Sequence, residues 1–174
     1  MTETVNYAYF IYKTCPVDFD VLEWRNQMKI LVSACLLGFP CRYDGKRCPS
    51  EAVIRLAERH ILIPVCPEQS GGLPTPRIPS EIRGDRVINR EGKDVTGAFR
   101  TGALIALETA ELNGINTAVL KSKSPSCGCG MIYDGSFRGI LTEGDGVCAS
   151  LLKQNGISVY DESQTERLYH AGEK

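Results

Sequence analysis

The chain has 174 residues, 43% hydrophobic content and a formal net charge of −1, which predicts one domain with a core of ordinary size. We expect no membrane span, because no stretch of about 18 apolar residues occurs. The near-zero charge gives no support for binding to duplex nucleic acid or to an anionic membrane. The amino terminus lacks a basic start followed by an apolar run, so we expect no secretory signal and a cytoplasmic location.

Apolar runs of strand and helix type begin at Met28, and we treat residues 1–27 as an N-terminal extension of unknown role. In chain order, the pattern predicts a strand at 29–35, a helix capped by Ser50, a strand at 60–65, a small hairpin from 85, a helix at 96–112, a strand at 117–121, a helix at 145–154 and a strand at 157–160. Turn residues fill 36–45, and four Pro with two Gly make 66–79 a long irregular loop. Residues 162–174 form a polar tail.

This alternation of strands and helices predicts an α/β fold. Right-handed crossovers would give a single domain over 28–161, with a parallel sheet and helices on both faces in a Rossmann-like, three-layer arrangement. In such a sheet, ligands bind at the carboxyl ends of the strands. We therefore expect the functional site at that edge.

Cysteines occur at the carboxyl ends of three predicted strands. Cys35, Cys66 and Cys127 each follow an apolar run, so a parallel sheet can bring the three thiols together. Three thiolates, rather than four, predict a metal or cluster with one open position. Soft thiolates favour an iron–sulfur cluster or zinc, and neither His60 nor His170 lies with them at a strand end.

The other cysteines have more ordinary interpretations. Cys41 could be a fourth ligand, although we favour a loop residue near the site, and Cys127 with Cys129 could instead be a redox pair. No Cys-x-x-Cys pair occurs, which disfavours a zinc ribbon. We interpret Cys15, Cys48 and Cys148 as small buried hydrophobes. In a reducing compartment, none of the eight cysteines is expected in a disulfide framework.

Polar side chains follow the same strand ends. Glu68 lies two residues after Cys66, where a carboxylate could serve in acid–base chemistry or could simply be solvated. Ser124 and Ser126 flank a proline just before Cys127, and they could orient water or cap backbone amides.

Charged residues in the flanking loops are candidates for binding a substrate. We assign this role to Arg42, Asp44, Arg77 and Lys121, although the ordinary interpretation of loop charges, including Glu81, is that they are solvated. Lys123 adds positive charge near the thiols.

Five motifs together resemble the thiouracil desulfidase family over about residues 28–160. They are Ala34-Cys-Leu-Leu-Gly38, Arg42-Tyr-Asp-Gly45, Val65-Cys-Pro-Glu68, Gly71-Gly-Leu-Pro-Thr-Pro-Arg77 and Ser124-Pro-Ser-Cys-Gly128. The resemblance implies an oxygen-sensitive enzyme with a [4Fe–4S] cluster bound by Cys35, Cys66 and Cys127. It further implies that Glu68 and either Ser124 or Ser126 assist catalysis.

The reaction implied by the resemblance is desulfuration of a thiolated nucleobase without net redox change. The open cluster iron would bind the thiocarbonyl sulfur, and water would replace that sulfur to give uracil and sulfide. The expected partners are the small substrate and, transiently, the iron–sulfur assembly machinery. Two alternatives are a hydrolase or transferase with Cys127 as nucleophile, and a non-catalytic zinc or iron–sulfur binding module.

Overall fold

The computed structural model describes residues 27–171. Its strands are β1 (Lys29–Ser33), β2 (Ile61–Val65), β3 (Ser80–Arg83), β4 (Arg86–Asn89), β5 (Thr117–Leu120), β6 (Met131–Tyr133), β7 (Leu141–Glu143) and β8 (Ser158–Asp161). Its helices are α1 (Glu51–Arg55), α2 (Pro67–Ser70), α3 (Thr96–Leu112), α4 (Val147–Gln154) and α5 (Glu166–Tyr169). Short 3-10 turns cover Ala34–Leu37 and Leu56–Glu58.

The centre of the fold is a four-stranded sheet in the order β2-β1-β5-β8, and every pairing in it is parallel. Two antiparallel ribbons, β3 with β4 and β6 with β7, lie outside this sheet. The prediction of a single α/β domain with a parallel sheet is confirmed. None of the helices between residues 27 and 171 is long and apolar enough to cross a membrane.

Apolar side chains cover both faces of the sheet, as expected for a three-layer fold. On one face, Leu31 of β1 packs in a cluster with Ala106 of α3 and Leu152 of α4. On the other face, Ile30 and Val32 pack with residues of α1 and α5. Neighbouring residues of β1 are therefore buried on opposite faces, because successive side chains in a strand alternate.

The observed boundaries differ from the predicted ones near the site. β1 ends at Ser33, because a 3-10 turn begins at Ala34 and carries Cys35. The segment 66–79 is not wholly irregular, since it opens with the one-turn helix α2. Ser50 occupies the position before α1, but its side chain makes no capping hydrogen bond.

The two predicted terminal segments have different outcomes. Residues 1–26 of the predicted extension lie outside the described residues. Within the predicted polar tail, the described residues 162–171 include α5, and Leu168 is buried with the core of one sheet face. This part of the tail therefore packs on the domain.

Glycines bring α2 into direct contact with α3. A Cβ atom added to Gly71 would lie 1.9 Å from the carbonyl oxygen of Ala98, and one added to Gly102 would lie 1.7 Å from that of Pro67. Such distances are far below van der Waals contact, so any side chain at either position would force the helices apart. The contact fixes the segment that carries Cys66.

We predict that Gly102→Ala lowers the free energy of unfolding by about 1–3 kcal/mol or more, because the added methyl group collides with backbone. Gly97→Ala in the same helix is the matched control. A Cβ there meets no heavy atom within 4 Å, so this change should raise stability by about 0.4–1 kcal/mol. Urea denaturation of the two variants measures both effects, and equal stabilities would contradict the proposed contact.

Candidate functional site

A cavity of about 540 Å³ opens at the carboxyl edge of the sheet. Residues that follow β1, β2 and β5 line it, and they include the thiols of Cys35, Cys66 and Cys127. Cys35 and Cys127 are buried, and Cys66 is half-buried. The structure thus brings the three predicted cysteines to one cavity, because the strands that precede them are adjacent and parallel.

Each of these cysteines is positioned by a short turn at a strand end. Cys35 lies in the 3-10 turn after β1, and Cys66 occupies the residue directly before α2. The Ser33 hydroxyl at the end of β1 accepts a hydrogen bond from the backbone N–H of Lys121 at 2.9 Å. The same hydroxyl is a hydrogen-bonding partner of the Cys127 thiol, so it ties the third turn to the first.

The turn that carries Cys127 is organised by Ser124. Its Oγ accepts hydrogen bonds from the backbone N–H groups of Ser126 and Cys127, both at 3.1 Å. The N–H of Gly128 donates to the Ser124 carbonyl at 2.8 Å. A Cβ at position 128 would lie 2.6 Å from that same carbonyl oxygen, so the tight turn requires glycine.

A fourth thiol, Cys41, reaches the same cavity. Its side chain is a hydrogen-bonding partner of the Cys35 and Cys66 thiols, and the bond with Cys35 raises the pKa of Cys41 to about 11. Cys66 also lies against this loop, with Sγ 3.7 Å from the Cys41 carbonyl oxygen. The bond with Cys41, and then burial, raises the pKa of Cys66. Cys41 is therefore part of the site.

The neighbours of Cys127 point away from the cavity. Cys129 lies with Sγ 3.5 Å from the carbonyl oxygen of Val159, and neither it nor Cys148 lines the cavity. Burial raises the pKa of Cys148 to about 12. Burial also raises the pKa of Cys127 well above its ordinary value. Cys148 is a core residue as predicted, and the two thiols of Cys127-Gly-Cys129 face different surroundings.

Glu68 is held at the edge of the cavity between two side chains. The Nε of Arg77 donates to its Oε2 at 2.7 Å, and Ser124 Oγ donates to its Oε1 at 3.5 Å. Arg77 is itself nearly buried, with 6% of its side chain exposed. It also donates to the carbonyl oxygens of Cys41 and Pro74 and to Thr75 Oγ1. One guanidinium thus joins Glu68 to the loop that carries Cys41.

Two other cations that we predicted to bind the substrate line the cavity, and each forms an ion pair with an acidic residue outside the lining. Arg42 forms a two-point ion pair with Asp44, with N–O distances of 3.1 and 3.3 Å. This pair lowers the pKa of Asp44. Lys121 forms an ion pair with Glu162. Although burial acts to raise the pKa of Glu162, its hydrogen bonds to Lys121 and Ser122 lower it.

Two predicted residues do not line the cavity. The side chain of Ser126 is fully buried, and its Oγ has no hydrogen-bond partner in the part of the chain that the structure describes. Its carbonyl accepts the N–H groups of Cys148 and Ala149, which anchors the residue on the start of α4. Asp44 is also absent from the lining, because its carboxylate is turned to Arg42 and to the N–H of Lys46.

The alternative chemistries find little support in this geometry. A Cys–His pair with Cys127 as nucleophile needs a histidine in the cavity, but His60 bonds the carbonyl oxygen of Leu168 at 2.9 Å and His170 pairs with Glu166. Neither lines the cavity. Over residues 27–171, no three His, Cys, Asp or Glu side chains come close enough together to hold a single metal ion.

Sequence reasoning placed Glu81 in a loop flanking the site without assigning it a role, and it did not find several other polar and aromatic groups of the cavity. Glu81 is 7% exposed and lines it, whereas a solvated loop charge was the expected interpretation. Arg90, Tyr133 and Phe137 line the same wall. The feature that could have identified Glu81 as buried is its position in β3, where it lies opposite the apolar Ile88 of β4. The strand was not predicted, because the proline-rich segment 66–79 directly precedes β3.

Comparison with known proteins gives consistent matches along the chain. A family model described as 2-thiouracil desulfurase matches residues 30–164. The uncharacterized protein YbbK of Bacillus subtilis (strain 168) is 40% identical over 145 residues, which are 78% of this chain and 96% of that protein. Among solved structures, a [4Fe-4S]-dependent thiouracil desulfidase, TudS, matches with a TM-score of 0.75 and 45% identity. That match covers 82% of this chain and 95% of TudS.

We predict that Ser124→Ala destabilises the apoprotein by about 1–3 kcal/mol, because two backbone N–H groups lose their acceptor. Ser126→Ala is the matched control, two residues away. It removes a buried hydroxyl without a partner, so stability should stay within about 0.5 kcal/mol of wild type or rise. Anaerobic urea denaturation measures both, and a larger loss for Ser126→Ala would show that the turn is held differently.

Proposed function

Because the chain belongs to the 2-thiouracil desulfurase family, we propose that it removes sulfur from thiouracil-type bases with a [4Fe–4S] cluster. The observation that carries the proposal is the meeting of Cys35, Cys66 and Cys127 with Glu68 at one cavity. The solved relative TudS, 45% identical, is [4Fe-4S]-dependent. Family membership and an enzymatic role agree with the expectations from the sequence motifs.

The donor set fits such a cluster. Cys35, Cys66 and Cys127 supply soft thiolate ligands, the kind that iron–sulfur clusters take. Each ligand of a cluster binds a different iron, so the thiols need not converge on one point, in keeping with the lack of a mononuclear site among residues 27–171. When bound, a cluster with three protein ligands supplies a Lewis-acidic iron with affinity for sulfur.

Glu68 is the residue we assign to proton transfer. Arg77 binds Oε2 at 2.7 Å and fixes the orientation of the carboxylate. Among residues 27–171, Oε1 has only the 3.5 Å contact with Ser124, so it is available to accept a proton from water. The Ser124 hydroxyl oxygen accepts hydrogen bonds from two backbone N–H groups. The hydroxyl can therefore donate its own hydrogen to Glu68. Of the two candidate serines, we therefore assign the supporting role to Ser124.

The predicted substrate-binding residues divide into two groups. Arg42 and Lys121 line the cavity, and we propose that they contact the substrate while Asp44 and Glu162 hold their side chains in place. Four of the five N–H donors of Arg77 bond to protein acceptors. We therefore propose that Arg77 positions Glu68 rather than binding the substrate.

We predict that Cys35→Ser, Cys66→Ser and Cys127→Ser each lose most of the cluster after anaerobic reconstitution. Cys129→Ser is the control, because its thiol lies outside the cavity and should leave iron content unchanged. Iron and labile sulfide assays, with the visible absorbance of the brown protein, provide the measurement. If Cys41→Ser loses the cluster while Cys66→Ser retains it, the ligand assignment is wrong.

We predict that Glu68→Gln keeps the cluster and loses the reaction. The amide retains the size of the side chain but no longer accepts a proton, so desulfuration should fall by roughly 100-fold or more. Anaerobic single-turnover assays with saturating 4-thiouracil measure the chemical step. Glu108→Gln, an exposed position on α3, should match wild type. A Glu68→Gln variant of near wild-type rate would remove this residue from the mechanism.

A further inference from the structure

Glu81 is a buried carboxylate that the proposed reaction does not use. Its side chain projects from β3 into the cavity, and the residue is 7% exposed. Within residues 27–171 it forms no ion pair, in contrast to Glu68, Asp44 and Glu162, which each face a cation. Buried carboxylates are normally paired, because removing a charge from water is costly.

One of its two oxygens has a partner in the protein. Oε2 accepts a hydrogen bond from the backbone N–H of Phe137 at 2.9 Å. Phe137 has φ of 58°, a left-handed conformation that is uncommon for a residue with a side chain. The bond therefore holds the loop between β6 and β7 against the cavity.

The second oxygen is left without a partner. Oε1 accepts no hydrogen bond from any described residue, and it is not among the fully enclosed polar atoms. It therefore opens on the cavity. An ionised carboxylate oxygen can only accept hydrogen bonds, so the group that completes its surroundings is a hydrogen-bond donor on a bound molecule or water.

We propose that Glu81 is a specificity-determining residue that accepts a hydrogen bond from the ring N3–H beside the thiocarbonyl group of the substrate. This inference rests on the proposed function. In 2-thiouracil and 4-thiouracil alike, N3–H is adjacent to the carbon that bears sulfur, so one acceptor can serve either isomer. Arg42, Arg77 and Lys121 already have acidic partners, whereas Glu81 presents an acceptor to the cavity and has no ion-pair partner among residues 27–171.

The test uses substrates that differ only in the position of one methyl group. The cluster-loaded wild type is assayed anaerobically for kcat/KM with 1-methyl-4-thiouracil and 3-methyl-4-thiouracil. Only the second compound lacks the N3–H donor. The wild type should prefer the 1-methyl compound by roughly 10- to 100-fold, the scale of a hydrogen bond to a charged group.

The variant Glu81→Gln distinguishes recognition of the substrate N3–H from the contact that holds the loop between β6 and β7. The glutamine carbonyl oxygen can still accept the Phe137 N–H, while its NH₂ group then presents donors to the cavity. We expect the preference for the 1-methyl compound to fall to within about 3-fold, since the acceptor is gone. Glu91→Gln is the matched control, because Glu91 is exposed just after β4 and does not line the cavity. It should keep the wild-type preference.

The outcomes are distinguishable. If Glu81→Gln retains cluster, circular dichroism and the full wild-type preference, the inference about Glu81 is overturned while the proposed function stands. A wild type that uses both methyl isomers equally, or prefers the 3-methyl compound, overturns it without any variant. A cluster-loaded wild type that desulfurates no thiouracil at all overturns the proposed function and this inference with it.

Discussion

The parallel pairing of β1 with β2 on one side and with β5 on the other is the constraint on which the site depends. Cys35, Cys66 and Cys127 lie far apart in sequence, and only adjacency of the three strand ends brings them to one cavity. Local turns then orient the thiols. The close contact of Gly71 and Gly102 fixes α2, and the hydrogen bonds of Ser124 fix the third turn. A change of strand order would scatter the thiols even if every local turn were preserved.

Charge in the cavity is organised so that most cations are held by acids from neighbouring segments. Arg77 is the central case, because its nearly buried guanidinium binds Glu68 and also the backbone of the Cys41 loop. A planar guanidinium with several fixed donors suits this role better than a lysine ammonium would. The arrangement leaves one oxygen of Glu68 and one oxygen of Glu81 facing the cavity with open hydrogen-bonding capacity. Two carboxylates in similar positions can then differ in role, because one is paired with a cation and the other is not.

Much of the fold was predictable because periodic apolar runs mark buried strands and helices. The four core strands and the helices α3 and α4 were found at nearly their observed positions, as were the three thiols at the strand ends. The features that the sequence did not predict are short elements and single side chains. The helix α2 and the strand β3 lie in or beside a segment rich in Pro and Gly, where pattern is weak, and Glu81 was therefore interpreted as a solvated charge. The difference between Ser124 and Ser126 could not come from sequence either, since both flank the same proline. It depends on which hydroxyl the turn directs to the cavity, and the tertiary contacts of α4 decide that.

The same features that suit the cavity to chemistry cost stability when it holds no ligand. A buried carboxylate without a cation and a left-handed Phe137 are each unfavourable in the domain without a ligand. A ligand that binds these groups more tightly in the folded state than in the unfolded chain raises the free energy of unfolding. The thiols contribute through a metal cluster, because they bind it as soft thiolate ligands. Glu81 gains only from a donor presented inside the cavity. We therefore expect cofactor and substrate to stabilise different parts of one cavity, while the apolar clusters on both faces of the sheet stabilise the fold when both are absent.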